Sequence, residues 1–153
     1  MLKLSKKVDY GLVLLSDLHS GVAPASAREI AERYRLPAPM AANILKALAS
    51  GGIVTSTRGA LGGYTLARPA SAISLADVVE ALEGPLSLLD CTDHGGGCEH
   101  QPGCPTSNPI QRVHRRFQLF MAGYMLDEIF GKALPRSDFA FVTTPTLQRG
   151  EAP

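Results

Sequence analysis

No apolar run in this chain is long enough to span a bilayer. The N-terminal hydrophobic stretch is broken by Asp9, Asp17 and His19, well short of the ~20 apolar residues a membrane helix needs. The same break, with no small-residue cleavage site behind it, gives no expectation of a secretory leader. Cysteine is scarce: Cys91, Cys98 and Cys104 are the only three. An odd number of thiols in one run makes a poor disulfide framework, and a cytoplasmic chain would keep them reduced. Lys and Arg are missing altogether between Arg68 and Arg112. No nucleophile–base pairing, phosphate-cradling glycine loop or metal–carboxylate motif is found, so hydrolase and transferase chemistry is not expected. There is no internal repeat.

What remains is a chain of 153 residues, 45% apolar and 19% charged, enough for one globular domain or a domain with an appended element. Its formal charge of +1 conceals an asymmetry. Residues 1–70 hold nine Lys/Arg against four acids, a net of +5, and the remainder holds six against ten, a net of −4. A basic half joined to an acidic half points the first half toward a polyanion. The three cysteines, separated by six and five residues, have four glycines and a proline between them. Glycine lets the backbone turn so that sulfurs can converge, and thiolates select zinc, Cu(I) or iron–sulfur clusters. A fourth ligand would come locally from Asp93, His94, Glu99 or His100, or from His114 further on.

The periodicity predicts a helix from about Lys6 to His19 with Val8, Leu12, Leu15 and Leu18 on one face, ended by Ser20-Gly21. Ser26 and Glu29 form a capping box that opens a second helix carrying Ala27, Ile30, Ala31 and Tyr34. Pro39 suits the first turn of a third, which buries Ala41, Ile44, Leu45 and Leu48. The β-formers at 53–57 and 64–66 flank a glycine-rich turn and read as a hairpin. Ser74 can cap a fourth helix bearing Leu75, Val78, Val79 and Leu82. Beyond the cysteine loop, Ile110, Val113, Phe117, Phe120 and Tyr124 recur at three- and four-residue steps, a seam suited to pairing with a second copy or to packing on its own domain. The expected fold is therefore mainly α with a small β-hairpin wing: a winged helix-turn-helix DNA-binding region over 1–70, then a linker helix, cysteine loop and dimerisation helix over 71–130. Residues 131–153 read as a flexible tail.

With the third helix in a major groove, Ala38, Pro39, Ala42, Asn43, Lys46 and Ala47 would face outward. Only Asn43 and Lys46 can hydrogen-bond there, to adenine and to guanine or phosphate. Ser56 and Thr57 on the hairpin can bond phosphates, and Arg58 has the reach for a narrow minor groove.

At this point the residues resemble a known family. Leu4-Ser5-Lys6 with Asp9-Tyr10-Gly11, Glu29-Ile30-Ala31, Leu45-Lys46-Ala47-Leu48, Gly51-Gly52-Ile53-Val54, Ser56-Thr57-Arg58-Gly59, Gly62-Gly63-Tyr64, Leu66-Ala67-Arg68 and Glu80-Ala81-Leu82-Glu83-Gly84 resemble the Rrf2-type winged helix-turn-helix transcription regulators (IscR/NsrR-like), over residues 1 to about 130. Glu83-Gly84-Pro85, Cys98-Glu99-His100 and Cys104-Pro105 look closest to the branch that regulates SUF iron–sulfur cluster assembly. The resemblance implies a homodimer on double-stranded promoter DNA, with Cys91, Cys98 and Cys104 holding a [4Fe–4S] or [2Fe–2S] cluster. It also implies Asp9 as a fourth ligand from the partner subunit, with His94 and His100 as the local alternatives. The first arm of the cysteine loop is one residue longer than the common family spacing. Ser107 stands where IscR-type members carry a ligating histidine, and Ala42 where they carry a glutamate that selects sites. Two other readings stay open: a winged-helix regulator with a structural zinc site or no metal, and a small iron–sulfur carrier using the same scaffold.

Overall fold

The computed structural model describes residues 4–21, 24–59, 62–89, 98–99 and 103–131. Helix α1 (Lys6–Ser20) starts at Ser5, whose hydroxyl accepts from the Val8 N–H at 3.3 Å, and stops at Gly21. Its buried face is Val8, Gly11, Leu14, Leu15, Asp17 and Leu18, whereas Leu12, expected on that face, is only half-buried. Gly11 takes its place for a steric reason: a Cβ there would lie 2.6 Å from Leu82 Cδ1. A glycine that lets another helix approach carries no hydropathy signal.

Helix α2 (Ala27–Arg33) opens with the expected capping box: Ser26 Oγ accepts from the Glu29 N–H at 3.2 Å, and Glu29 Oε2 accepts from the Ser26 N–H at 2.7 Å. It buries Ile30 and Ala31, but Tyr34, expected on that stripe, falls past its end and is 42% exposed. Arg35 then adopts a left-handed backbone, φ 54, which a non-glycine residue takes only at some cost. This tight corner delivers the chain to helix α3 (Ala38–Ser50), with Pro39 in its first turn as expected. Ala41, Ile44, Leu45 and Leu48 are all buried, and each of the three larger side chains contributes about 1.5–3 kcal/mol.

Strand β1 (Val54–Thr57) pairs antiparallel with β2 (Gly63–Leu66), with Val54 opposite Leu66 and Thr57 opposite Gly63. Each strand differs from its predicted span by one residue at its start. The wing is anchored where Ala25 bridges Tyr64, through hydrogen bonds of 3.2 and 2.8 Å. A Cβ on Gly63 would come within 2.7 Å of the Ala25 backbone, so that anchor requires glycine.

A 3-10 turn (Ala70–Ala72) leads to helix α4 (Leu75–Glu83), capped by Ser74 in a second box with Asp77. It buries Val78, Val79 and Leu82 and ends at Gly84, φ 89. Helix α4 packs on both α1 and α3. At α3 the contact is as tight as at Gly11: a Cβ on Gly51 would sit 2.6 Å from the Ala81 Cβ. Helix α5 (Ser107–Gly123) also packs on α4. It does not run on. Tyr124 is already extended, its carbonyl accepts from the Leu75 N–H at 2.8 Å, and Leu126 N–H donates to the Ile73 carbonyl at 2.9 Å. These bonds fold the chain back into a short helix α6 (Leu126–Phe130), not anticipated from the periodicity, whose Phe130 ring meets His19 at 5.7 Å. The segment expected to be a tail lies, from residue 132, outside the described residues. Among the described residues no helix is long and apolar enough to cross a membrane.

The Gly51 contact makes a stability prediction. Gly51→Ala has no flexible side-chain tip to push aside, so it should cost about 1–3 kcal/mol, as overpacking does. Urea denaturation of the variant against the parent measures it, and an unchanged midpoint contradicts the tight α3–α4 contact.

Candidate nucleic-acid interface and thiol site

The outer face of α3 and the wing are both exposed. On α3, Ala38, Pro39, Met40, Asn43 and Lys46 are exposed, while Ala42 and Ala47 are half-buried. Asn43 and Lys46 therefore stand where the helical period placed them. Met40, 40% exposed, joins them although it was not among the outward positions expected. On the wing Thr55, Ser56, Thr57 and Arg58 are all exposed. The tip is built by glycine: Gly59 has φ 120, and Gly62 N–H donates to the Gly59 carbonyl at 3.0 Å. A Cβ on Gly62 would strike the Thr57 carbonyl.

The positive charge of the first half is not all available. Arg33 pairs with the buried Asp17, tying α2 to α1. Arg28 is held by Glu32 one turn on at 2.8 Å, and Arg68 by Asp77 at 3.1 Å. Lys7 donates to the Leu82 carbonyl, supplying the cation that favours a helix C-terminus. Among the described residues Lys6, Arg35, Lys46 and Arg58 enter no ion pair, so these cations are left for a polyanion.

Cys98 and Cys104 carry free, half-buried thiols. Gly103, φ 90, turns the backbone into Cys104, just ahead of α5. Cys104 Sγ and the Thr106 hydroxyl are hydrogen-bonded at 3.2 Å. That bond, aided by the backbone of Thr106 and Ser107, holds the Cys104 thiol below its ordinary value. The thiolate is the metal-binding form, so a depressed Cys104 thiol suits a soft metal or an iron–sulfur cluster. Cys91, His94 and His100 lie outside the described residues. Asp9 is exposed on α1. Among the described residues no three His, Cys, Asp or Glu side chains gather closely enough to hold a metal ion, so Asp9, Cys98 and Cys104 do not meet within one chain. Ser107 and His114 are both buried on α5, and neither His114 ring nitrogen has a hydrogen-bond partner among the described residues.

Two hydrogen bonds join the start of α1 to the end of α4. Ser5 Oγ donates to Glu83 Oε1 at 2.7 Å while also capping α1, and Lys7 reaches the last turn of α4. Both hold the start of α1 against the point where α4 gives way to the segment leading to the thiols.

Comparison with known proteins agrees with this layout. Residues 4–132 match the family described as Rrf2, iron-dependent transcriptional regulator. The chain is 30% identical over 131 residues to the HTH-type transcriptional regulator NsrR of Oceanobacillus iheyensis, an alignment covering 84% of this chain and 89% of that protein. Among solved structures it is similar to CymR, the global cysteine regulator of B. subtilis, with a TM-score of 0.65, 27% identity, and coverage of 85% and 97% of the two chains. It is likewise similar to T. potens IscR, with a TM-score of 0.64, 27% identity, and coverage of 90% and 97%.

The Thr106 bond makes a chemical prediction. In metal-free protein, alkylation of Cys104 should rise with pH at a midpoint below that of an ordinary thiol, because the thiolate reacts. Thr106→Val should move that midpoint upward. Peptide mapping after timed iodoacetamide treatment checks it, and an unmoved midpoint contradicts the role given to Thr106.

Proposed function

The chain belongs to the Rrf2 family of iron-dependent transcriptional regulators, and from that premise we propose that it is a dimeric DNA-binding regulator whose promoter affinity depends on an iron–sulfur cluster, controlling SUF cluster-assembly genes. The observation that carries the DNA role is the joint exposure of Asn43 and Lys46 on α3 and of Arg58 on the wing. Asn43 and Lys46 suit base edges in a major groove, and Ser56, Thr57 and Arg58 suit the adjoining backbone and minor groove. The SUF assignment rests on the Glu83-Gly84-Pro85, Cys98-Glu99-His100 and Cys104-Pro105 motifs.

Cys91, Cys98 and Cys104 would hold the cluster, with Asp9 of the partner subunit, or His94 or His100, as fourth ligand. Once bound, it supplies irons that respond to oxidants or nitric oxide. The protein's own part is transmission. Ser5 and Lys7 grip the end of α4 beside the segment that leads to the thiols. Helix α4 bears without slack on α1 at Gly11 and on α3 at Gly51. A shift of the thiol segment is thereby carried into α3, and in a dimer it alters how two α3 helices meet successive grooves.

The dimer would form on the part of α5 that its own domain leaves uncovered. Phe117 packs against the chain's core and Met121 is buried within it, but Val113 and Leu119 are 53% and 66% exposed. Val113→Asp should therefore give monomers without unfolding the domain, as sedimentation of the variant against the parent would reveal. A Val113→Asp protein that stays dimeric removes this face from the interface.

For the DNA role, a dimer neutralising about six to ten phosphates should lose ~10³–10⁵-fold in affinity between roughly 50 and 200 mM salt. Arg58→Ala should cost ~1–3 kcal/mol. The measurement is titration of promoter duplex with protein purified without oxygen and assayed in parallel for iron, acid-labile sulfide and zinc. Brown protein with iron and sulfide, binding DNA differently once bleached, is the expected result. Stoichiometric zinc without sulfide turns the loop into a structural site, and no duplex retained in either form refutes the regulator.

A further inference from the structure

A face of α3 aimed at DNA ought to be polar, because base edges in the major groove offer mostly donors and acceptors. This one is not. Of its exposed positions, Ala38, Pro39 and Met40 are apolar, and Met40 is the only large side chain among the three. Met40 belongs neither to the buried core nor to the half-buried shell packed on it, so its exposure is not explained by packing inside the chain. It stands in the first turn of α3, three residues before Asn43, and residues so spaced lie on neighbouring positions of one helix face. Small residues flank the pair at Ala38 and Ala42, allowing close approach to a groove floor. Met40 and Asn43 also line an open, largely apolar groove of about 690 Å³ together with Lys6 and Lys7 of α1 and Glu83, whose carboxylate accepts from Ser5. Lys6 is exposed there and enters no ion pair among the described residues. A phosphate strand drawn to Lys6 would pass alongside the bases that Met40 and Asn43 can reach.

The one apolar group on a base edge in the major groove is the thymine C5-methyl. A thioether is long, flexible and polarizable, suited to cover such a methyl, while an asparagine amide can grip adenine through N6 and N7. We propose that Met40 reads the methyl of a thymine lying next to an adenine held by Asn43, which makes Met40 a specificity-determining residue. This rests on the regulator reading above and adds a base preference to it.

The test uses the full-length protein and a duplex it enriches from a randomised pool. That duplex is resynthesised with each thymine replaced singly by deoxyuridine, which removes only the methyl. Wild-type protein should lose roughly fourfold in affinity at one thymine per half-site, the worth of one apolar carbon. Met40→Leu should keep that penalty, and Met40→Ala should bind the two duplexes equally. The assignment falls if wild type is indifferent to deoxyuridine at every thymine, or if Met40→Ala still feels the missing methyl. A wild-type protein that enriches no duplex at all overturns the regulator reading itself, an outcome distinct from either of these.

Discussion

Helix α4 is pressed against two other helices at points where neither side has room for one more carbon. At α1 the space for a side chain on Gly11 is filled by Leu82, and at α3 the space on Gly51 is filled by Ala81. Close-packed interiors transmit displacement because they compress so little. Leu82 and Ala81 are consecutive, so one turn of α4 touches both the first helix and the helix with the reading face. The hydrogen bonds from Ser5 and Lys7 close the same corner from outside. That corner lies between the outer face of α3 and the segment that leads to the thiols, so it is the point through which the proposed regulation would have to pass.

Charge is apportioned with comparable economy. Arg33 is committed to the buried Asp17, where an unpaired carboxylate would be costly, and Arg28 and Arg68 are held by acids on or near their own elements. The cations left outside ion pairs among the described residues include Lys46 on α3 and Arg58 at the wing tip. Two of these three pairs use acids of the same half and are already offset within its net of +5, so what the fold adds is the placement of the remaining cations. The outer face of α3 is likewise sparing in polar groups, with Met40 exposed at its start and Asn43 and Lys46 beyond it.

Helix α5 divides its apolar side chains between two tasks. Phe117 and Met121 turn inward to the chain's own core, leaving Val113 and Leu119 in solvent. The turn at Tyr124 and the short α6 stitch the end of this helix to the residues around Ser74. Any surface that α5 offers a second copy is thus held rigidly to α4, and through α4 to the reading face.

Much of this was legible locally. The Ser26 and Ser74 caps, the buried face of α3 and the hairpin are set by residues a few positions apart, where backbone geometry alone settles the outcome. The placement of Asn43, Lys46 and Arg58 on exposed positions followed from the same periods. Contacts between distant segments were not legible. Gly11 replaced Leu12 on the core face because another helix needed its space, Tyr34 left its stripe because α2 stopped a residue early, and α6 arose because backbone groups near Tyr124 found partners near Ile73. Met40 was assigned to neither face, and the fold leaves it uncovered. Neighbouring residues alone set the elements other than α6, the donor chemistry of the thiols and the basic first half. Which cations are paired, which apolar side chains face solvent and how tightly α4 joins the two halves depend instead on surfaces that meet after the chain has folded.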